Sequence, residues 1–486
     1  MSRRPALRGI LALAFLALAL AYVAVGALWM AKNVGKVPAY GDTSEYIRLS
    51  QDLKVDEYRG ILYPALLAWG NRDPWIPITV GAPFIDDLLK LQLGLGILSL
   101  AYFLYVMAGG ALRRWTGSTP GALAGLLLLL PMLHLDPLVA HFNLSILTDG
   151  LALSGSLIFC AALAHLGRQR SPPVVPACLL LVAYLTTAGL RAEKNWVFIG
   201  STFLTVAVWW FVAGRSSPGL GRGLRRRALV ALGLASVGFL VLLGVQRWAY
   251  EEQGRWPLST TILHQRIIFP NLAPTYPHLP EEPRALISPH LALNYDMRIH
   301  NTWSVIDAVT HGDASQRERL TSQLVWPVLK ARWHWIASKI LSDTAENVLA
   351  PFSFYGRLGR WIRDGQKPAA FRVTFEATPW TYFMLAQAQP GLSLIYVSFA
   401  AAFLLTTVLL TLLQWPAMRR GWRARDHDDA IVRAAPVASF CLVNALAFST
   451  TANLVHIRYV LFAHVAVLLL FYLGAMRWAL VRPVAR

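Results

Sequence analysis

The sequence predicts an all-α polytopic membrane protein with about ten transmembrane helices and a partly helical outward-facing segment. Three observations carry that prediction. Of 486 residues, 56% are hydrophobic and only 15% charged, whereas a soluble single core stops growing near ~250–300 residues and rarely reaches this apolar fraction. The apolar residues fall in runs of roughly 20, the length a helix needs to cross a hydrocarbon layer of ~30 Å. The positive charges crowd into short connections between those runs. The same composition excludes disordered, collagenous and coiled-coil classes. The three cysteines (Cys160, Cys178, Cys441) lie in apolar runs, which suit neither a disulfide framework nor a metal cluster.

In chain order the predicted spans are 10–30, 88–108, 119–135, 146–166, 174–190, 196–213, 228–246, 391–413, 434–451 and 459–476. The first follows Arg3, Arg4 and Arg8, is long for a signal peptide and lacks a small-residue cleavage site, so it reads as an uncleaved anchor. The third is the weakest, interrupted by Pro131 and closed early by Asp136. With the N-terminus inside, the connections 1–9, 108–119, 166–173, 214–227, 415–433 and 476–486 hold 20 Lys/Arg against three acids, Asp426, Asp428 and Asp429. Of the net charge of +19, +17 therefore lies on one side. This is the positive-inside bias. It predicts an inner-membrane protein with both termini cytoplasmic, and it makes the basic excess a signal for topology and anionic lipid. No nucleic-acid partner is expected.

The chain divides into an N-terminal transmembrane module (1–246), a periplasmic segment or small domain (247–390) and C-terminal transmembrane helices (391–486). The module's first outward loop, 31–81, carries the candidate chemistry. Read as a helix, 41–53 (GDTSEYIRLSQDL) places Asp42, Glu45, Tyr46, Leu49, Asp52 and Leu53 on one face. A carboxylate just past the outer end of a span can take a proton from an acceptor hydroxyl or help hold a divalent metal. Asp42-x-x-Glu45 is also a capping box, and a cap would fix the same carboxylate's orientation. Arg59, before the apolar Tyr63-Pro64 segment, suits either a guanidinium gripping a lipid phosphate or an ordinary interfacial arginine. Lys90, after Asp86 and Asp87, is either a snorkelling lysine paired with Asp87 or a second phosphate contact. In the long outward segment, the Trp-rich stretch 324–341 has the composition of a helix lying along the bilayer surface. Six histidines there (264, 278, 290, 300, 311 and 334) lack zinc-ligand spacing.

The order of these features resembles the GT-C superfamily of membrane glycosyltransferases, notably the protein O-mannosyltransferases and the lipid A aminoarabinose transferases. The resemblance rests on Asp42 with Tyr46 after the first span, then Arg59, Tyr63 and Pro64, and then a span entered through LLKLQL (88–93). Two later segments agree. NLSILTDGLAL (143–153) is similar to the family's Thr/Ser-acid pair at a span's outer end, and HIRYVLF (456–462) to its Arg-Tyr opening the last span. The likeness covers 1–215 and, more loosely, 434–476. Gly60-Ile61 departs from it, standing where many relatives have prolines.

The resemblance implies a sugar carried on a polyprenyl phosphate as donor, and an envelope glycan, lipid or protein hydroxyl as acceptor, meeting at the periplasmic face. Asp42 would be the base, oriented by Glu45 and Tyr46, in an inverting attack at the anomeric carbon. Arg59, Tyr63, Lys90, Arg191, Lys194 and Arg458 would face the departing phosphate. Asp149 would be a second acidic position. If a divalent metal takes part, Asp42 and Asp149 would hold it. Arg191-Ala-Glu-Lys194 also reads as a solvated charged turn between two spans. Two other functions compete. An O-antigen polymerase or ligase would act through 247–390, using Arg266, Arg284, Arg298 or His300, and would leave 42–53 a mere cap. A transporter or flippase would place charges at mid-span, where Asn444 and His464 are the main polar residues.

Overall fold

The computed structural model describes residues 4–33, 41–52, 60–70, 83–144, 148–168, 173–252, 267–268, 271–290, 305–306, 308–364, 390–421, 427–451 and 461–480. Among these residues the chain is helical, with no strand. The N-terminal helices are α1 (Arg4–Asn33), α2 (Gly41–Asp52), α3 (Leu62–Gly70), α4 (Pro83–Met107), α5 (Gly109–Thr116), α6 (Thr119–His134), α7 (Pro137–Asn143), α8 (Thr148–Gly167), α9 (Val174–Leu190), α10 (Lys194–Arg215) and α11 (Pro218–Glu252). Segment 247–390 contributes α12 (Leu272–Thr275), α13 (Glu281–Ile287) and α14 (Ala314–Asp364), and the C-terminal part α15 (Pro390–Gly421), α16 (His427–Thr451) and α17 (Leu461–Leu480).

Eight of these helices are long and apolar enough to cross a membrane: α1, α4, α8, α10, α11, α15, α16 and α17. The ten expected spans compare with these eight, or nine if the bent pair α6 and α7 is one span. Helix α9 has 17 residues, or about 25 Å of rise. The third run, 119–135, is helix α6, and the chain bends by 70° into α7 just beyond it. The bend has a local cause. Pro137 starts a new helix, and the Asp136 carboxylate caps it by accepting from Leu138 N at 3.0 Å and Val139 N at 3.4 Å. Breaking a helix inside an apolar bundle strands carbonyls. Here the Tyr22 hydroxyl of α1 donates to Met132 O (3.1 Å) and Leu135 O (2.9 Å), and the Tyr396 hydroxyl of α15 also donates to Leu135 O. His464 Nε2 of α17 lies 2.9 Å from Asp136 Oδ1, with both side chains fully buried.

One apolar core joins the spans from both ends of the chain. Phe15 and Tyr22 of α1 stack on Phe403 of α15 at 5.6 and 5.1 Å, and Trp29 Nε1 donates to Ser393 Oγ at 3.0 Å. A smaller cluster, including Ile268, Leu272, Ile287, Leu324, Val328 and Ile336, lies within segment 247–390. Helix α14 buries one face there and exposes Trp326 and Trp333 on another. Asn347 Nδ2 of α14 ties it to Ser449 Oγ near the end of α16, at 3.0 Å.

The two ends of the bundle differ in charge. At the end where α4 and α8 finish and α11 begins, arginines cap helix C-termini. Arg168 donates to Val106 O, Arg227 donates to Leu166 O at 2.9 Å, and Arg433 pairs with Asp429 at 2.7 Å. The basic piece 214–227 is largely the start of α11 rather than a loop. The opposite end, where α1 and α9 finish and α8 and α10 begin, gathers the groups described next.

Candidate functional site

At that second end, the loop following α1 folds down onto the bundle. Residue 60 must be glycine for this approach, because a Cβ there would lie 2.1 Å from Gly189 O and 2.5 Å from the Leu190 carbonyl carbon. From the other side, a Cβ on Gly189 would meet the Leu62 side chain at 2.5 Å, and that side chain would have to shift. The departure from proline noted at Gly60 is thus the residue that lets α3 seat against the end of α9. Helix α3 buries Tyr63 completely, and α2 brings Tyr46 against it, ring edge to ring face at 5.0 Å. The Tyr46 hydroxyl shares a hydrogen bond of 3.2 Å with Thr148 Oγ1, the first residue of α8. The next residue is Asp149, placed where the partial positive charge of a helix N-terminus favours a carboxylate.

Asp149 does not stand alone. Arg191, just past the end of α9, donates from Nη1 to Asp149 Oδ1 at 2.5 Å and from Nε to Glu193 Oε1 at 2.6 Å. These side chains are only 11% (Arg191), 2% (Asp149) and 18% (Glu193) exposed. The turn 191–194 is therefore not solvated but sealed. Burial acts to raise the Glu193 carboxyl, but Arg191 and Lys194 outweigh it and hold the group below its ordinary value. The Tyr63 hydroxyl is pushed well above its ordinary value, mainly by burial, with Tyr46 and Asp149 adding to the shift. That hydroxyl has no hydrogen-bond partner among the described residues.

Lys194 differs from Arg191 in kind. Its ammonium is buried, donates to Asn444 Oδ1 of α16 at 2.6 Å, and lies over the rings of Phe440 (5.5 Å) and Phe448 (5.2 Å). No carboxylate is in contact with it among the described residues.

The structure therefore brings together Tyr46, Tyr63, Asp149, Arg191 and Lys194. Helix α2 begins at Gly41, which puts positions 42 and 45 inside its first turns rather than Asp42 at the cap. By register, position 42 is one turn before Tyr46. The side chains of Asp42 and Glu45 lie outside the described residues, as do Arg59 and Arg458 entirely. Lys90 is not part of the cluster as a phosphate contact; it is 66% exposed and paired with Asp87 at 3.0 Å, so the snorkelling alternative describes it. Of the competing residues in the long segment, Arg266, Arg298 and His300 lie outside the described residues, and Arg284 is half-exposed on α13.

Sequence reasoning missed Thr148 and Glu193 as parts of this network, although both sit inside segments it singled out. It also passed over Asn143, the first residue of the NLSILTDG motif, whose signal was a lone amide beside an otherwise apolar span. No three His, Cys, Asp or Glu side chains converge among the described residues, and Asp149 Oδ1 is already taken by a guanidinium. No family model, no curated protein and no solved structure matches the chain.

Proposed function

We propose that the protein is an integral membrane glycosyltransferase. It moves a sugar from a polyprenyl-phosphate donor to an acceptor hydroxyl at the outer face of the inner membrane, inverting the anomeric carbon. The observation that carries this reading is Lys194, a buried ammonium held by an amide and two aromatic rings instead of a carboxylate. Glu193 acts on this ammonium through space without touching it, and a cation at such depth is stabilised further by an anion in contact. A lipid phosphate is the anion a bilayer delivers there. The position, at the end of α10 remote from the basic connections, fits a donor headgroup on the outer leaflet.

In this reading the acceptor hydroxyl gives its proton to the carboxylate of Asp42, and its oxygen bonds to the anomeric carbon from the face opposite the phosphate. The bond from that carbon to the phosphate oxygen breaks, and the electron pair leaves with the prenyl phosphate. Lys194, already in place, meets the charge that develops on the leaving oxygen, in surroundings of low dielectric. Asp149 and Glu193 hold Arg191 in a fixed orientation beside it. Tyr46, fastened to Thr148, sets the position of the helix that carries Asp42. The resemblance to the GT-C superfamily supports the role of Asp42. The acceptor is an envelope glycan, a lipid or a protein hydroxyl.

The test is to delete the gene, identify the lipid-linked sugar that accumulates and the envelope glycan that loses a residue, and complement with Asp42→Asn and Lys194→Gln. Both variants should fail to restore the glycan. Full rescue by both sinks the reading. Rescue by these two together with loss of function on changing residues 264–300 would instead favour a polymerase or ligase acting through the long outward segment.

A further inference from the structure

Beneath Asp149, a second polar group is buried without partners. Asn143, the last residue of α7, is 1% exposed, and neither its Oδ1 nor its Nδ2 has a hydrogen-bond partner among the described residues. Its amide is wedged between two glycines. A Cβ on Gly150, the residue after Asp149, would lie 2.8 Å from Asn143 Oδ1, and a Cβ on Gly96 of α4 would lie 3.2 Å from its Nδ2. The same Gly96 position lies 3.4 Å from Cε1 of His134, the last residue of α6, which is 6% exposed and whose Nδ1 is also unpartnered. Gln92 Nε2 reaches the Asn143 backbone carbonyl at 3.5 Å, so the chain around the amide is held while the amide is left open.

Buried amides and imidazoles nearly always find partners, and those that do not call for a specific explanation. A purely structural asparagine would have its oxygen or its NH2 satisfied within the protein. Here an acceptor, a two-hydrogen donor and an imidazole nitrogen are all open among the described residues, and the amide lies against Gly150, the residue after the Asp149 carboxylate. An amide offers donor and acceptor side by side, which matches a hydroxyl group, itself both donor and acceptor. Neither side chain is a fixed cation like arginine or lysine, so the pair is not built for a phosphate.

We propose that Asn143 and His134 form a hydroxyl-recognition subsite for the sugar ring, set deeper in the bundle than the phosphate at Lys194. This rests on the transferase reading and names the group that selects the sugar.

The test uses full-length protein in detergent and two kinds of probe: citronellyl phosphate, and citronellyl phosphate carrying glucose, mannose, galactose or 4-amino-arabinose. For the wild type, at least one glycosyl phosphate should raise the melting temperature beyond the bare phosphate by on the order of 2 °C or more. Asn143→Leu should lose that increment, keep the response to bare phosphate, and melt no lower than wild type when ligand-free. His134→Leu should also lose the increment. If Asn143→Leu does not accumulate, Asn143→Ala gives the same readout. A retained increment overturns the subsite and leaves the transferase reading standing, as does a ligand-free variant that melts well below wild type, because the amide is then structural. A wild-type response to bare phosphate with no added effect of any sugar also overturns the subsite alone. No response to any probe overturns both.

Discussion

The Asp149–Arg191–Glu193 network predicts an asymmetry between its members. Replacing Arg191 with leucine strands two carboxylates, of which Asp149 is 2% exposed. Removing one partner of a buried pair costs about 3–5 kcal/mol, because the remaining charge stays desolvated. Lys194, not in contact with either carboxylate, recovers only part of this. Asp149→Asn is milder. The asparagine oxygen still faces the guanidinium and Glu193 still pairs with it at 2.6 Å, so the loss should be about 1–2 kcal/mol. The double variant strands one carboxylate fewer than Arg191→Leu alone, and should fall short of the summed losses by roughly 2 kcal/mol. The assay is unfolding of the three purified variants and wild type in mixed micelles, read as unfolding rates where the transition is irreversible. Equal losses from the two single changes, adding to within ~0.5 kcal/mol in the double, would refute the network.

Four further outcomes follow from the same geometry. Gly60→Ala places a methyl against backbone that cannot yield, 2.1 Å from Gly189 O, and should cost at least the ~1–3 kcal/mol typical of overpacking; normal accumulation and melting of this variant would show that α3 is not seated on α9. Tyr46→Phe loses the bond to Thr148 and should destabilise by about 1 kcal/mol. Tyr63→Phe removes an unpartnered hydroxyl and should leave the melting temperature unchanged or raised, so any loss of glycan transfer would report substrate positioning; a marked drop in melting temperature would contradict this. Glu193 has a carboxyl depressed in the folded state despite burial, through Arg191 and Lys194, so its stabilisation is present above the ordinary carboxylate range and lost as pH falls through the depressed value. The stability advantage of wild type over Glu193→Gln should accordingly shrink below about pH 4, and an advantage independent of pH would count against the ion pair.

The spans were legible because the length of an apolar run is a local property. The end of the third run showed in Asp136, whereas Pro131, read as an interruption, lies inside the continuous helix α6. The 70° bend itself was not readable, because what permits it comes from elsewhere. Tyr22, Tyr396 and His464 satisfy the broken helix from three other helices, and no local pattern announces them. The turn 191–194 is ambiguous for a related reason. Four residues with three charges look solvated until the packing of α2, α3 and α8 seals them in. Asn143 and Thr148 lie inside a motif that was noticed, yet the open amide of one and the tyrosine partner of the other are facts of tertiary contact. Gly60 reads as a departure from a pattern in sequence and as a steric requirement in space.

The two ends of the bundle handle buried charge in opposite ways. Where basic residues crowd, the guanidinium groups of Arg168 and Arg227 are met by helix C-terminal carbonyls within the protein. Positive ends meeting negative helix termini are self-sufficient and need no ligand. At the other end, Arg191 is likewise satisfied by two carboxylates. Among the described residues, however, the same end holds an ammonium without a contacting carboxylate, a tyrosine hydroxyl without a partner, and an amide with neither oxygen nor nitrogen engaged. Leucine for Asn143 or phenylalanine for Tyr63 should leave the ligand-free protein at least as stable. Positions that sacrifice stability are where a protein meets something other than itself. The unmet groups also differ in chemistry, a cation at Lys194 and a neutral amide at Asn143. A ligand that answers all of them carries an anion at one end and hydroxyls at the other, which is the makeup of a sugar joined to a lipid phosphate.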